Sequence, residues 1–170
     1  QQSGNVAVIP IHGMIAPTSS QSLYSQSTTG SLSIVDKIER AQQAKNIKAI
    51  VLNINSGGGA PVASAEIAQA IKHADKPTVA WIRDVGASGA YLIASSADTI
   101  IAHEFSTTGS IGVTSSYLEF SGLLDEHNVT YNRQVAGYYK DMGSPFKEMT
   151  PSEQRIYQDL LDKIHLEFIR

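Results

Sequence analysis

Three short segments of this chain set serine hydroxyls among residues small enough to leave them bare. In Gly86-Ala87-Ser88-Gly89-Ala90, Ser88 stands between glycines and alanines. A nucleophilic serine wants this setting. A tight turn projects the hydroxyl, small neighbours admit a substrate, and a helix starting at the residue favours developing negative charge. The same residues also suit a plain helix N-cap serine. Ser56-Gly57-Gly58-Gly59 offers consecutive backbone N–H groups for close approach to a ligand. One of these, with the N–H of Gly89, would hold the oxyanion of a tetrahedral intermediate. A phosphate loop and a flexible turn are the competing uses, but no Gly-Lys-Ser/Thr follows, which excludes the Walker type. The third segment, residues 106–112, contains Ser106, Gly109, Ser110 and Gly112.

A serine nucleophile needs a base. The five histidines are His12, His73, His103, His127 and His165. His73 and His165 fall on helical patterns and read as surface residues. His12 and His103 follow strands, and His127 ends a helix. None has a glycine-rich or constrained setting. Lys140 differs: it lies in Ala136-Gly137-Tyr138-Tyr139-Lys140-Asp141-Met142-Gly143-Ser144-Pro145, a stretch mixing aromatics with glycines. A lysine that serves as base must be neutral, so its pKa must drop from about 10.4 to about 7–8. Burial beside aromatics and away from carboxylates has that effect. Asp141 is adjacent, but adjacent side chains diverge. A solvated surface lysine is the plain alternative.

These residues are positioned by alternating apolar runs and helical patterns. Residues 6–11 read as a buried strand, 47–54 as a β-branched second strand broken by Ser56-Gly57-Gly58-Gly59, and 78–82 as a third. Between the first two, residues 18–33 are polar and expected to form a mobile loop. Ile34, Val35, Ile38 and Ala41 have helical spacing. Pro61 suits a helix start, with the helix running on over 62–73. A sharp turn at 86–89 leads into a helix over 90–95, and Ile100-Ile101 begins a short strand. Short strands or turns are expected at 111–117 and 130–135, with a helix over about 120–127 between them. Thr150-Pro151-Ser152-Glu153 is a capping box opening a last helix, in which Ile156, Leu160, Ile164 and Phe168 recur every four residues. The alternation predicts one α/β domain over residues 1–170 with a largely parallel sheet. In such sheets sites lie outside the carboxyl ends of the strands, where the loops 56–60, 86–90 and 106–112 converge.

Composition closes off several function classes. The 170 residues suit one domain with a sizeable core. The net charge of -3 and the lack of a basic run argue against nucleic acid. With no cysteine there is no disulfide, thiolate zinc site or cysteine nucleophile. No apolar run approaches the ~20 residues that span a bilayer. The polar start and the end at Arg170 within a helical pattern lead to the expectation of an upstream anchoring segment and a further segment downstream.

Taken together, the segments resemble the signal peptide peptidase A family of Ser/Lys peptidases (peptidase family S49). Four stretches carry the likeness, in the family's order. Asn55-Ser56-Gly57-Gly58-Gly59 with Ser64-Ala65-Glu66-Ile67 is similar to its NSPGG segment and following helix. Gly86-Ala87-Ser88-Gly89-Ala90-Tyr91 resembles its nucleophile segment, and Thr108-Gly109-Ser110-Ile111-Gly112-Val113 its TGSIGV. Tyr139-Lys140-Asp141-Met142-Gly143-Ser144-Pro145-Phe146 with Met149-Thr150-Pro151 resembles its lysine segment.

The resemblance implies a crotonase/Clp-protease-like fold, Ser88 as nucleophile, Lys140 as general base and Ser110 as the residue orienting the amine. It implies Gly89 and one of Gly58 or Gly59, Gly58 for preference, as oxyanion donors. It also implies an acyl-enzyme, and no metal or organic cofactor. For the assembly it implies a homo-oligomeric ring whose active sites combine a serine and a lysine from neighbouring subunits. An N-terminal membrane helix would hold the catalytic domain outside the cytoplasm, and the substrates would be signal peptide remnants or other unstructured chains. Gly57 stands where the family usually has proline, which would loosen the oxyanion loop. Ala90 and Leu92 replace a glycine and a tyrosine and would reshape the pocket.

Four other readings stay open. A Ser/His/Asp hydrolase would use His103 or His127 with Asp98 or Asp125. A crotonase-like enzyme would act on acyl-CoA through the oxyanion hole alone. A phage prohead-type protease would belong to the same family. A non-enzymatic scaffold would carry a decayed site.

Overall fold

A computed structural model describes residues 4–19 and 28–170. The chain divides into two compact units, Gln1–Ile111 and Gly112–Arg170.

The first unit is a parallel sheet with helices on one face. Its elements are β1 (Val6–Ala16), β2 (Thr28–Gly30), α1 (Ser31–Gln43), β3 (Ala49–Gly59), α2 (Pro61–Lys72), β4 (Thr78–Ala87), α3 (Gly89–Ser95), β5 (Thr99–Ala102) and β6 (Thr107–Gly109). Strand order is β2-β1-β3-β4-β5, every pairing is parallel, and β6 continues along β4 beyond β5. The fold is of the expected α/β class, with a parallel sheet. Alternation along the strands decides which side chains face the helices. Ile9, Ile11 and Ile15 of β1, Ile50, Leu52 and Ile54 of β3, and Ala80 and Ile82 of β4 pack against Ile34 and Ile38 of α1, Ile67 and Ile71 of α2, and Ile93 of α3.

Several elements differ from the sequence reading. Of the polar segment 18–33, residues 20–27 lie outside the described residues. Thr28–Gly30 is a strand and Ser31 opens a helix, so this part is not a loop. Thr29 explains the strand: its hydroxyl donates to the His12 carbonyl and accepts the His12 N–H, binding the polar strand to β1. The Gly57-Gly58-Gly59 run does not end the second strand either. It stays in β3, with Met14 paired to Gly58 and Ile15 to Gly59. No strand forms at 111–117 or 130–135.

The second unit holds α4 (Ser121–Glu126) and α5 (Pro151–Ile169). The capping box at Thr150 is present as expected, with Thr150 Oγ1 accepting the Glu153 N–H and the Glu153 carboxylate accepting the Thr150 N–H. Glu153 is buried at 2% exposure, which Lys147 makes tolerable by donating to both carboxylate oxygens at 2.7 and 3.0 Å. Lys147 and Thr150 together hold the Glu153 carboxyl below the usual range. Among the described residues, no helix is long and apolar enough to cross a membrane.

Candidate active site

Ser88 sits where β4 gives way to α3. Its backbone is at φ 52, ψ −127, a left-handed conformation rare outside glycine. Three hydrogen bonds hold it there. The Ser88 N–H donates to the Gly109 carbonyl at 2.8 Å, and the Ser88 carbonyl accepts the N–H groups of Tyr91 and Leu92 at 2.8 and 3.0 Å. The residue occupies the N-cap position of α3, yet its side chain makes no capping bond. A hydroxyl serving only as a cap would bond a backbone N–H of the first turn. This one is half-buried and, among the described residues, uncommitted.

The carboxyl ends of three strands surround it. Gly58, at the end of β3, has φ 96. A Cβ there would lie 2.7 Å from the Gly89 nitrogen and 2.9 Å from both the Ala87 oxygen and the Ser88 Cβ. Gly89 likewise has no room for a side chain, because the Ser64 hydroxyl of α2 fills the space. On the other side, Gly109 (φ 83) and Ser110 (φ 53) turn the chain sharply after β6. The bond from Ser88 N–H to the Gly109 carbonyl fixes that turn beside Ser88. Ser88, Gly58, Gly59, Gly89 and Ser110 are thus brought together within the first unit.

The two glycine donors are not equivalent. The Gly58 N–H donates to Ser56 Oγ at 3.0 Å, so the sequence preference for Gly58 as oxyanion donor does not suit this geometry. Ala60 N–H donates to the Ile15 carbonyl on β1. Successive N–H groups in a paired strand alternate in direction, so Gly59 N–H faces away from β1. It points to the β4 side, where the position of a Gly89 Cβ is 3.5 Å from the Gly59 nitrogen.

Ala90 is fully buried in the core, and Leu92 packs against that core. Gly57 is exposed, with open space where a side chain would be.

Lys140 belongs to the second unit. It lies in a turn where its N–H donates to the Gly137 carbonyl at 3.1 Å, and it is exposed. The burial beside aromatics expected from the sequence is not supplied by its own turn, where Tyr138 and Tyr139 are also exposed. The adjacent carboxylate is removed from consideration in another way. Asp141 binds Arg133 through Nε–Oδ2 at 2.5 Å and Nη2–Oδ1 at 2.9 Å. That fork of hydrogen bonds holds the Asp141 carboxyl below its ordinary range. Among the described residues, Lys140 is in no ion pair.

The histidines are engaged differently. The Phe105 N–H donates to His103 Nδ1 at 3.2 Å. His73 Nδ1 meets the Gln69 carbonyl at 2.8 Å. His165 is half-buried rather than a surface residue, with Nδ1 enclosed and unpartnered among the described residues. Asp98 accepts from Thr78 N–H and Oγ1 at 2.7 and 2.8 Å and is held below the usual carboxylate range by them. It therefore serves the start of β4, and among the described residues no hydrogen bond joins it or Asp125 to a histidine. Nor do three His, Asp or Glu side chains gather there as a metal site would require.

Sequence reasoning passed over Ser56. Its hydroxyl is buried and bonds both Gly13 and Gly58. The only sequence signal was its place before three glycines.

Comparison with known proteins follows the same lines. The profile of peptidase family S49 matches residues 70–170, and that of Clp protease matches residues 11–107. A putative signal peptide peptidase SppA of Enterococcus faecium is 34% identical over 167 residues, which is 96% of this chain and 48% of the relative. Putative protease MJ0651 of Methanocaldococcus jannaschii is 32% identical over 82% of this chain and 44% of its own. Capsid assembly protease C of Escherichia phage lambda is 25% identical over 95% of this chain and 37% of its own. The chain spans about half the length or less of these relatives.

Proposed function

Since this chain belongs to peptidase family S49, the family of signal peptide peptidase A, we propose that it is a serine endopeptidase in which Ser88 is the nucleophile and Lys140 its general base. The observation that carries the reading is the Ser88 turn: a serine held at φ 52, with its hydroxyl uncommitted, against a glycine edge that no side chain could occupy. Ser88 Oγ attacks the scissile carbonyl while its proton passes to the neutral Lys140 amine. The N–H groups of Gly89 and Gly59 hold the oxyanion. Collapse breaks the C–N bond, the leaving amine takes the proton from Lys140, and an ester-linked acyl-enzyme remains. Water, deprotonated by the same lysine, then releases the acid and restores Ser88. Ser110 hydrogen-bonds the lysine amine and orients it.

Lys140 is exposed on its own turn, and a neutral lysine needs desolvation. We infer that the desolvation comes from a neighbouring subunit of a homo-oligomeric ring, in which the serine and the lysine of one site belong to different subunits. The S49 match includes residues of both units, which supports reading residues 1–170 as one peptidase domain. Unstructured peptides, signal peptide remnants among them, are the proposed substrates. In the whole protein an N-terminal anchor would hold the domain at a membrane, outside the cytoplasm. The likeness to capsid assembly protease C favours, as a second reading, a phage assembly protease with the same chemistry.

The test is mass spectrometry after reaction with a fluorophosphonate, on the wild-type chain and on Lys140→Ala. Labelling confined to Ser88 and lost with Lys140 is expected. Labelling at another residue, or unchanged labelling of the lysine variant, overturns the dyad.

A further inference from the structure

Ser56 is a buried hydroxyl that the chemistry above does not use. It is 2% exposed and lies where the ladder between β3 and β4 changes register. Its Oγ donates to the Gly13 carbonyl at 2.6 Å and accepts the Gly58 N–H at 3.0 Å. Both partners are irregular points of the backbone, Gly13 at φ 71 and Gly58 at φ 96. The ladder between β1 and β3 also slips here, His12 to Met14 running against Asn55 to Gly58. A hydroxyl suits this place because it can donate and accept at once.

We propose that Ser56 is a positioning residue of the oxyanion hole. By tying the Gly58 N–H to β1, it fixes the orientation of the next peptide, and so aims the Gly59 N–H at the side where Ser88 and Gly89 lie. Three consecutive glycines have no side chains of their own to hold them, and the position at Gly57 touches nothing within 4 Å. With Ser56 truncated, the Gly13 carbonyl and the Gly58 N–H lose a partner in a buried setting, which backbone groups avoid by moving toward other partners. The glycine run then turns, and the donor swings off the oxyanion. Ser56 itself does not touch substrate.

The inference rests on the Ser88 reading, and its test separates the two. The wild-type chain, Ser56→Ala and Ser56→Cys are compared for peptide hydrolysis, for affinity toward a peptide aldehyde that forms a tetrahedral adduct, for affinity toward the product peptide, and for unfolding midpoint. A misaimed donor weakens only the tetrahedral state, so kcat and aldehyde affinity should both fall about 10–100-fold, with KM and product affinity within about twofold. The thiol variant keeps the side-chain shape with a bulkier, more weakly hydrogen-bonding atom and carries the same test if the alanine variant does not fold. Unchanged kcat and aldehyde affinity overturn the inference. So does an equal loss of affinity for aldehyde and product, which marks a merely structural hydroxyl. Fluorophosphonate labelling of the wild-type chain away from Ser88 overturns the peptidase reading, and this inference with it.

Discussion

Gly58→Ala places one methyl group against the centre of the site. The added Cβ lies 2.7 Å from the Gly89 nitrogen and 2.9 Å from the Ala87 oxygen and the Ser88 Cβ. None of these is the end of a flexible side chain, so the overlap is relieved only by moving the Ser88 turn or the end of β3. Alanine at φ 96 is strained in addition. Strain of about 1–3 kcal/mol and overpacking of about 1–3 kcal/mol give a destabilisation of about 2–6 kcal/mol. Displacing Ser88 or the oxyanion donors proposed for it by about 1 Å would cost about 10²–10³ in turnover. Gly57→Ala is the control: its Cβ meets nothing within 4 Å, and it should stay within about 0.5 kcal/mol of wild type. Urea unfolding gives the stabilities, and peptide hydrolysis with the rate of fluorophosphonate labelling gives the activity. A Gly58→Ala chain that unfolds and reacts as Gly57→Ala does would refute the placement of β3 against Ser88.

Two further outcomes are expected. Mixing inactive Ser88→Ala with inactive Lys140→Ala subunits, under conditions that let them exchange, should restore a substantial fraction of activity if sites are shared between neighbours; a mixture as inactive as its components rules out sharing. The Asp98 carboxyl is held below the usual carboxylate range by its hydrogen bonds from Thr78 in the folded chain. Its contribution to stability is therefore full above about pH 4 and is lost as pH falls through the lowered native value. Asp98→Asn should flatten the fall of the unfolding midpoint as pH drops below about 4, and parallel profiles for the two proteins would contradict the role given to Thr78.

The sequence carried the strand cores, because β-branched runs such as Ile50 to Ile54 have one use in a parallel sheet. It also carried the α5 cap, because Thr150 and Glu153 satisfy each other locally. What it hid was non-local. The glycines of β3 look like a break until Met14 and Ile15 are there to pair with them. The Thr28–Gly30 strand looks like loop until His12 meets the Thr29 hydroxyl. The stretches at 111–117 and 130–135, expected as short strands or turns, form no strand. In the candidate site, the small neighbours of Ser88 suggested a tight turn, and the chain does turn there, with Ser88 at φ 52. Ser56 was not legible, since its partner Gly13 lies 43 residues away.

The left-handed backbone at Ser88 sets reactivity and stability in opposition at a single residue. A serine at φ 52 costs about 1–3 kcal/mol that glycine would not. The two customary ways of silencing this residue therefore give different proteins. Alanine keeps the Cβ and the strain and removes only the hydroxyl. Glycine removes both, and should leave a dead site in a sturdier scaffold, as expected where function rather than folding dictates the side chain. Comparisons of substrate binding in the silenced chain are faithful to the native turn only with alanine.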